Sequence, residues 1–352
     1  MKSITTLFAP ILNGHLIETI AFYLTYSGCR ARIVTNFQGN ENSEHRWSLQ
    51  RLGKTDCELV EIGSPPQESD LLVFSLIRRG RIPDELPAWR AKSAAAAFLL
   101  SDIRYGEFKD RLRELLRSWP HYLDASLAIY QHSPKARWQN FPFYRQRAVY
   151  FTPYLHPQYF VSAELSNAFS EVISAEQRRF RIGFLGNREP PRRAEQLAQC
   201  RQAIGNAGIK VIGPELGPPD RENQAVWIVY GGAEWAGLHG IDPTAYLGIL
   251  SDMDFCISPP GWGQWWTHRT IEAIVRGSVP IIADPHLYNI GLRDGENCIV
   301  VNNDDWREAT RRALAMPQSE VMRLRSSVLA LREKHLTPDT VAKNFCSQLF
   351  GQ

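Results

Sequence analysis

Hydrophobic positions along the chain fall into short unbroken runs, separated by longer stretches in which apolar residues recur every three or four positions. In the first half the runs are ITTLFAP (4–10), ARIVTNF (31–37), CELVEI (57–62), DLLVFSL (70–76), AAFLLSD (96–102), ASLAIYQ (125–131) and RAVYFTP (147–153). They are continuous in Val, Ile, Leu and Phe rather than alternating, which predicts strands of a parallel sheet covered on both faces. Between the first two lies HLIETIAFYLTYSG, an amphipathic helical stretch ending at Gly28, a suitable helix stop. The opening therefore reads β-α-β.

The pattern restarts near residue 180. RFRIGFLGN (179–187) predicts a fresh strand and a glycine turn, then a helix over RRAEQLAQCRQAIGNAG. Strands follow at GIKVIGP (208–214), AVWIVYGG (225–232), DFCISPPG (254–261), SVPIIADP (278–285) and NCIVVN (297–302), again alternating with helices. Two successive open α/β units predict two Rossmann-like domains, residues 1–165 and 179–335, joined by a linker at 166–178. The last helix begins after Pro338, within 336–352, and is expected to pack back on the first domain. Neither a low-complexity tract nor a short-period repeat is present.

Composition narrows the function classes. The 352 residues suit about two domains, and 44% hydrophobic with 22% charged content is that of a globular protein. No run approaches the ~18 apolar residues needed to cross a bilayer. MKSITTLFAPILNGHL reads as a first strand rather than a signal peptide, so the expected location is cytoplasmic. A net charge of +3 argues against a nucleic-acid partner. Basic clusters at 77–81, 109–117 and 188–193 read as solvated faces, with peripheral contact to anionic lipid left open. Cys29, Cys57, Cys200, Cys256, Cys298 and Cys346 show no zinc-like spacing and read as reduced, mostly buried thiols. Oligomeric state is not legible.

Chemistry concentrates in PPGWGQWWTHRTIEAI (259–274), which joins the strand DFCIS to the helix TIEAIVRG. Ligands of open α/β sheets sit at the carboxyl ends of strands, and amides at a helix start favour phosphate. Arg269 falls in that first turn, where its planar fork suits a diphosphate. Glu272, three residues on, shares its face and suits ribose hydroxyls if it points past the phosphates. Gly261 and Gly263 permit unusual backbone angles or close approach to a ligand. A plain surface ion pair between Arg269 and Glu272 is the bland alternative. Trp262, Trp265 and Trp266 suit either core packing or stacking on a sugar face.

The run from Tyr246 to Trp306 resembles the C-terminal half of exostosin-like glycosyltransferases. The matching parts are Phe255-Cys256-Ile257, Pro260-Gly261, Thr267-His268-Arg269, Glu272-Ala273-Ile274, Gly277 and Val279-Pro280-Ile281-Ile282. FLGN with Arg188, Arg192 and Arg193 resembles the family's glycine-and-arginine stretch, while the rest of the chain fits only loosely. Thr267 in place of the commoner serine, and the heavy GWGQWW, depart from the family pattern.

The resemblance implies a GT-B fold, two Rossmann-like domains facing across a cleft, with a nucleotide-sugar donor in the C-terminal domain and the acceptor in the N-terminal one. It implies inverting transfer from a UDP- or GDP-sugar to a glycan or lipid-linked glycan, as in surface polysaccharide or lipopolysaccharide synthesis. Arg269 resembles the phosphate-binding arginine and Glu272 the ribose-binding acid. Arg188, Gly261, Trp262, Thr267 and His268 complete the expected donor site. Asn13, Gly14, Trp265, Trp266, His239 and Asp284 are the expected sugar and acceptor contacts.

No cofactor or metal is expected. Asp252-Met253-Asp254 spells D-x-D, but it reads as a helix-end or strand-entry feature, leaving the diphosphate to helix amides and arginines. Inversion needs a base, and His15, in the loop after the first strand, is the first choice because its pKa lies near working pH. Asp102, beyond AAFLL, is the rival, and Glu18 and His156 stay open. Asp242, His286 and Glu296 read equally as turn residues or sugar contacts. Two other readings stand: a sugar-nucleotide epimerase or phosphorylase on the same fold, and a non-catalytic glycan- or nucleotide-binding module.

Overall fold

Each hydrophobic run contains a strand. The computed structural model describes residues 3–9, 16–36, 57–75, 84–100, 125–130, 147–151, 154–155, 178–187, 191–205, 209–211, 225–230, 243–261 and 267–351. The chain divides into two compact units, Met1–Val161 with Pro338–Gln352, and Ser162–Thr337.

The first unit holds β1 (Ile4–Phe8), β2 (Arg30–Thr35), β3 (Cys57–Glu61), β4 (Ser69–Ser75), β5 (Ser93–Leu100), β6 (Leu127–Tyr130) and β7 (Arg147–Tyr150). They form one sheet in the order β3-β2-β1-β4-β5-β6-β7, parallel throughout. The continuous apolar runs are explained by burial on both faces. Leu7, Ile33, Val34, Leu72, Val73, Ala97 and Phe98 are all sealed from solvent. Trp89, on the short helix α2 (Leu86–Ala91), closes one face against Phe8, Phe74 and Phe98. Burying each large aliphatic or aromatic side chain contributes about 1.5–3 kcal/mol before conformational entropy is subtracted.

Helix α1 (Leu16–Tyr26) connects β1 to β2 and is buried along nearly its whole length. The chain's final helix, α8 (Pro338–Phe350), lies against α1 and β7 in this same unit. Phe345 meets Phe151 with ring centroids 4.4 Å apart, and the Arg147 guanidinium donates to the carbonyls of Gln348 (2.7 Å) and Leu349 (2.9 Å). Those carbonyls have no partner inside the helix, so a cation there satisfies both the hydrogen bonds and the helix dipole.

The second unit contains β8 (Phe180–Asn187), α3 (Pro191–Ile204), β9 (Ile209–Val211), β10 (Ala225–Tyr230), α4 (Pro243–Ser251) and β11 (Met253–Ile257). It continues with α5 (His268–Val275), β12 (Val279–Ile282), a short 3-10 helix (Pro285–Tyr288), β13 (Ile299–Val300), α6 (Trp306–Ala315) and α7 (Gln318–His335). Its sheet runs β13-β12-β11-β8-β10-β9, again parallel. From β8 the chain goes to the edge strand β9 and returns through β10, which lies between the two. From β11 it builds to the other side. The reversal between β8 and β11 is the topological switch point, the usual place for a ligand on such a sheet.

All six cysteines are free; Cys200, Cys256 and Cys298 are buried, whereas Cys29, Cys57 and Cys346 are half-buried. Among the described residues no helix is long and apolar enough to cross a membrane.

Candidate functional site

Strand β8 ends in Leu185-Gly186-Asn187, and β11 ends at Ile257 with Ser258 just beyond, at the switch point of the second sheet. Helix α5 starts immediately beyond, with Thr267 extended at its N-cap position and its side chain making no capping bond. The Thr267 amide donates instead to the Tyr288 hydroxyl (3.2 Å), which also shares a hydrogen bond with Thr270 Oγ1 (2.7 Å). Tyr288 thus pins the start of α5 to the 3-10 helix. His268 is the first helical residue and is half-buried, as are Thr267 and Gly261.

Arg269 turns inward from that first turn. Its guanidinium lies over the Phe184 ring, 4.4 Å from the centroid, and its Nε donates to the Leu185 carbonyl. The residue is only 8% exposed, more withdrawn than a diphosphate-reaching fork read from sequence suggests. Its Nη1 is buried with no hydrogen-bond partner. Arg269 forms no ion pair among the described residues. Its charge acts on a second buried arginine: Arg193, on α3, donates its Nε to the Pro260 carbonyl (3.0 Å). Burial first, and the Arg269 charge second, lower the Arg193 pKa to about 9. Two like charges held in a desolvated corner, with an unsatisfied donor on Arg269, suit an anionic ligand.

Gly186 makes this corner possible. It has φ +141°, and a Cβ there would run into the Arg269 guanidinium. Gly261, by contrast, is not among the positive-φ glycines. Gly186→Ala is expected to cost about 1–3 kcal/mol of stability from backbone strain, with additional loss from the displaced guanidinium. Chemical denaturation of the pair of proteins measures it; equal midpoints and slopes would show the close approach to be dispensable.

Glu272 is 8% exposed and accepts a 2.6 Å hydrogen bond from the Tyr246 hydroxyl on α4. A carboxylate has lone pairs for further donors, so this bond orients Glu272 without exhausting it. Cys256, on β11 beside this corner, is a neutral thiol at ordinary pH because burial pushes its pKa up to about 11.

Other expected positions have local roles. Asp284 follows β12 and caps the 3-10 helix, accepting from the His286 amide (2.9 Å). Glu296 meets Arg293 at an exposed turn. The D-x-D acids sit at the amino end of β11, the opposite end from Ser258. Asp252 pairs with Arg179, and Asp254 pairs with Arg178 (2.7 Å) and Arg181 (3.1 Å). Among the described residues no group of His, Cys, Asp and Glu has a metal-holding arrangement. Glu18 is buried in the first turn of α1. Asn13, Gly14, His15, Asp102, His156, Arg188, His239, Asp242, Trp262, Gly263, Trp265 and Trp266 lie outside the described residues.

The site residues less legible in sequence are Gly186, Tyr246 and Tyr288. FLGN carried the signal for the first. Nothing in the spacing marked the two tyrosines, which reach the site only through tertiary contact.

No family model matches this chain, and no curated protein matches it in sequence. Solved structures do match in fold. A glycosyltransferase from Rickettsia africae superposes with a TM-score of 0.61 at 11% identity, over 100% of both chains. Anabaena HepE (Alr3699), crystallised with UDP, gives 0.59 at 11% identity, also over 100% of both. The N-terminal domain of Candida albicans trehalose-6-phosphate phosphatase gives 0.59 at 11%, over 99% of both. With its two parallel sheets of Rossmann type, the chain has the GT-B fold.

Proposed function

We propose that this protein is an inverting GT-B glycosyltransferase, similar to the exostosin-like family, that moves a sugar from a nucleoside-diphosphate donor to a glycan or lipid-linked glycan acceptor. The observation that carries the reading is the corner at the end of β8: Arg269 with its buried, unsatisfied Nη1, beside Arg193. A diphosphate supplies the missing acceptor for that nitrogen, and the start of α5 adds amides and the positive end of its dipole. Glu272, held by Tyr246, is the proposed acceptor for ribose hydroxyls. The leaving diphosphate is stabilised by these groups, with no metal required. HepE, whose fold this chain shares, has also been crystallised with UDP-glucose, which makes UDP the first nucleotide to test. Surface polysaccharide or lipopolysaccharide synthesis is the proposed setting.

A thermal-shift panel of UDP, GDP, CMP, dTDP and inorganic pyrophosphate tests the site, because a ligand bound only by the folded state raises the melting temperature. At 100 times its dissociation constant a ligand adds about 2.7 kcal/mol. Nucleoside diphosphates and pyrophosphate are expected to raise it, and CMP much less. Burial and the Arg269 charge disfavour the Arg193 cation, and a bound diphosphate relieves that cost. A panel with no response to any diphosphate would remove the donor site. Release of the nucleotide from a UDP- or GDP-sugar only when acceptor is present separates a transferase from an epimerase or a binding module.

A further inference from the structure

Two half-buried cysteines, far apart in sequence, stand on either side of one hydroxyl in the first unit. Ser27 Oγ lies 2.9 Å from Cys346 Sγ and 3.6 Å from Cys29 Sγ. Both backbones are firmly placed. Cys29 belongs to a Schellman stop: Gly28 takes φ +87°, its amide bonds the Thr25 carbonyl (3.0 Å), and the Cys29 amide bonds the Leu24 carbonyl (3.0 Å). Cys346 is on α8, held by the Phe345–Phe151 contact, by Arg147, and by Gln348 Oε1 accepting from the Tyr150 amide (3.0 Å).

We propose that Cys29 and Cys346 form a reversible disulfide that fastens the C-terminal helix to the first unit. The hydrogen bond between the two thiols, followed by burial, holds the Cys346 pKa well above the usual thiol value. With hydrogen peroxide, one of the two thiolates becomes a sulfenic acid, and the other sulfur then displaces its oxygen as water. Two thiols and one peroxide give one disulfide and two waters. Cys200, Cys256 and Cys298 are buried and have no such access. The bond would close nearly the whole chain into one loop, the case in which a cross-link most restricts the unfolded ensemble.

The test is mild oxidation of the full-length protein with hydrogen peroxide, followed by intact mass, non-reducing peptide mapping and thermal melting. The expected result is a loss of about 2 Da, one peptide pair joining Cys29 to Cys346, and a melting temperature higher by about 5 °C. Dithiothreitol should reverse all three, and Cys29→Ser and Cys346→Ser should each abolish them. Separate oxygen addition at the two sulfurs, or a link through any other cysteine, would overturn the pairing. A Cys29–Cys346 link that leaves the melting temperature unmoved would overturn the fastening role.

Discussion

Arg269→Met is expected to weaken nucleoside-diphosphate binding about 100-fold while leaving the melting temperature unchanged or raised, because the two properties depend on different parts of the side chain. The methylene stem and the flat end fill space against Phe184, and a methionine of similar volume keeps most of that contact. The charge is held at a cost. It is buried, it pairs with no acid among the described residues, one of its nitrogens has no acceptor, and it faces Arg193. Removing a poorly compensated buried ion while keeping its volume is commonly neutral or stabilising. A ligand phosphate, however, loses a charge-assisted partner worth about 1.5–3 kcal/mol, and with it most of the reason to bind here. Calorimetric titration with UDP or GDP, alongside thermal melts, checks both halves. Unchanged affinity for every diphosphate would end the donor-site reading. A collapsed melting temperature would show that the guanidinium is a structural stack.

The second large effect concerns the proton. His15→Ala is expected to lower turnover about 10²–10⁴-fold with nucleotide affinity preserved, whereas Asp102→Asn should change turnover only a few-fold. Strand order favours His15. β1 sits where the first sheet reverses, between β2 and β4, so ligands of this sheet gather beyond the carboxyl ends of β1 and β4. In sequence, His15 immediately precedes α1, in the segment that leads on from β1, while Asp102 comes two residues after β5. An imidazole base works only when neutral, so activity should fall as acid protonates it and level off once it is neutral. Steady-state rates across pH 5–9, at saturating donor, measure this. If the roles invert, with Asp102→Asn abolishing turnover and His15→Ala tolerated, the base belongs to the β5 loop.

Much of the architecture could be read from residue pattern because parallel strands announce themselves. Runs such as LLVF at 71–74 and IVT at 33–35 are apolar on both sides, and glycines punctuate the helices between them. Helix α7 was less legible: its buried apolar positions are essentially Val321, Leu324 and Val328 on a highly charged background, a narrow stripe that matches solvated sequence equally well. The site was legible in part. The position of Arg269 at a strand-to-helix turn followed from spacing alone. Its inward direction did not, since that depends on Gly186 contributing no side chain, 83 residues earlier, and on Phe184 offering a ring. The D-x-D pair shows the converse. Two acids at suggestive spacing are absorbed by Arg178, Arg179 and Arg181, whose adjacency comes from the pairing of β11 with β8.

The return of α8 to the first unit has a consequence for biosynthesis. The residues that cover α1 and β7 leave the ribosome only after every strand of the second sheet has been made. Domains ordinarily fold in the order of their synthesis, the N-terminal one first. Here the N-terminal unit must wait with Phe151 and its neighbours uncovered until α8 has been made, so the second unit has the first opportunity to complete. A nascent chain stalled before α8 would expose that apolar surface to chaperones even though both sheets had already been synthesised.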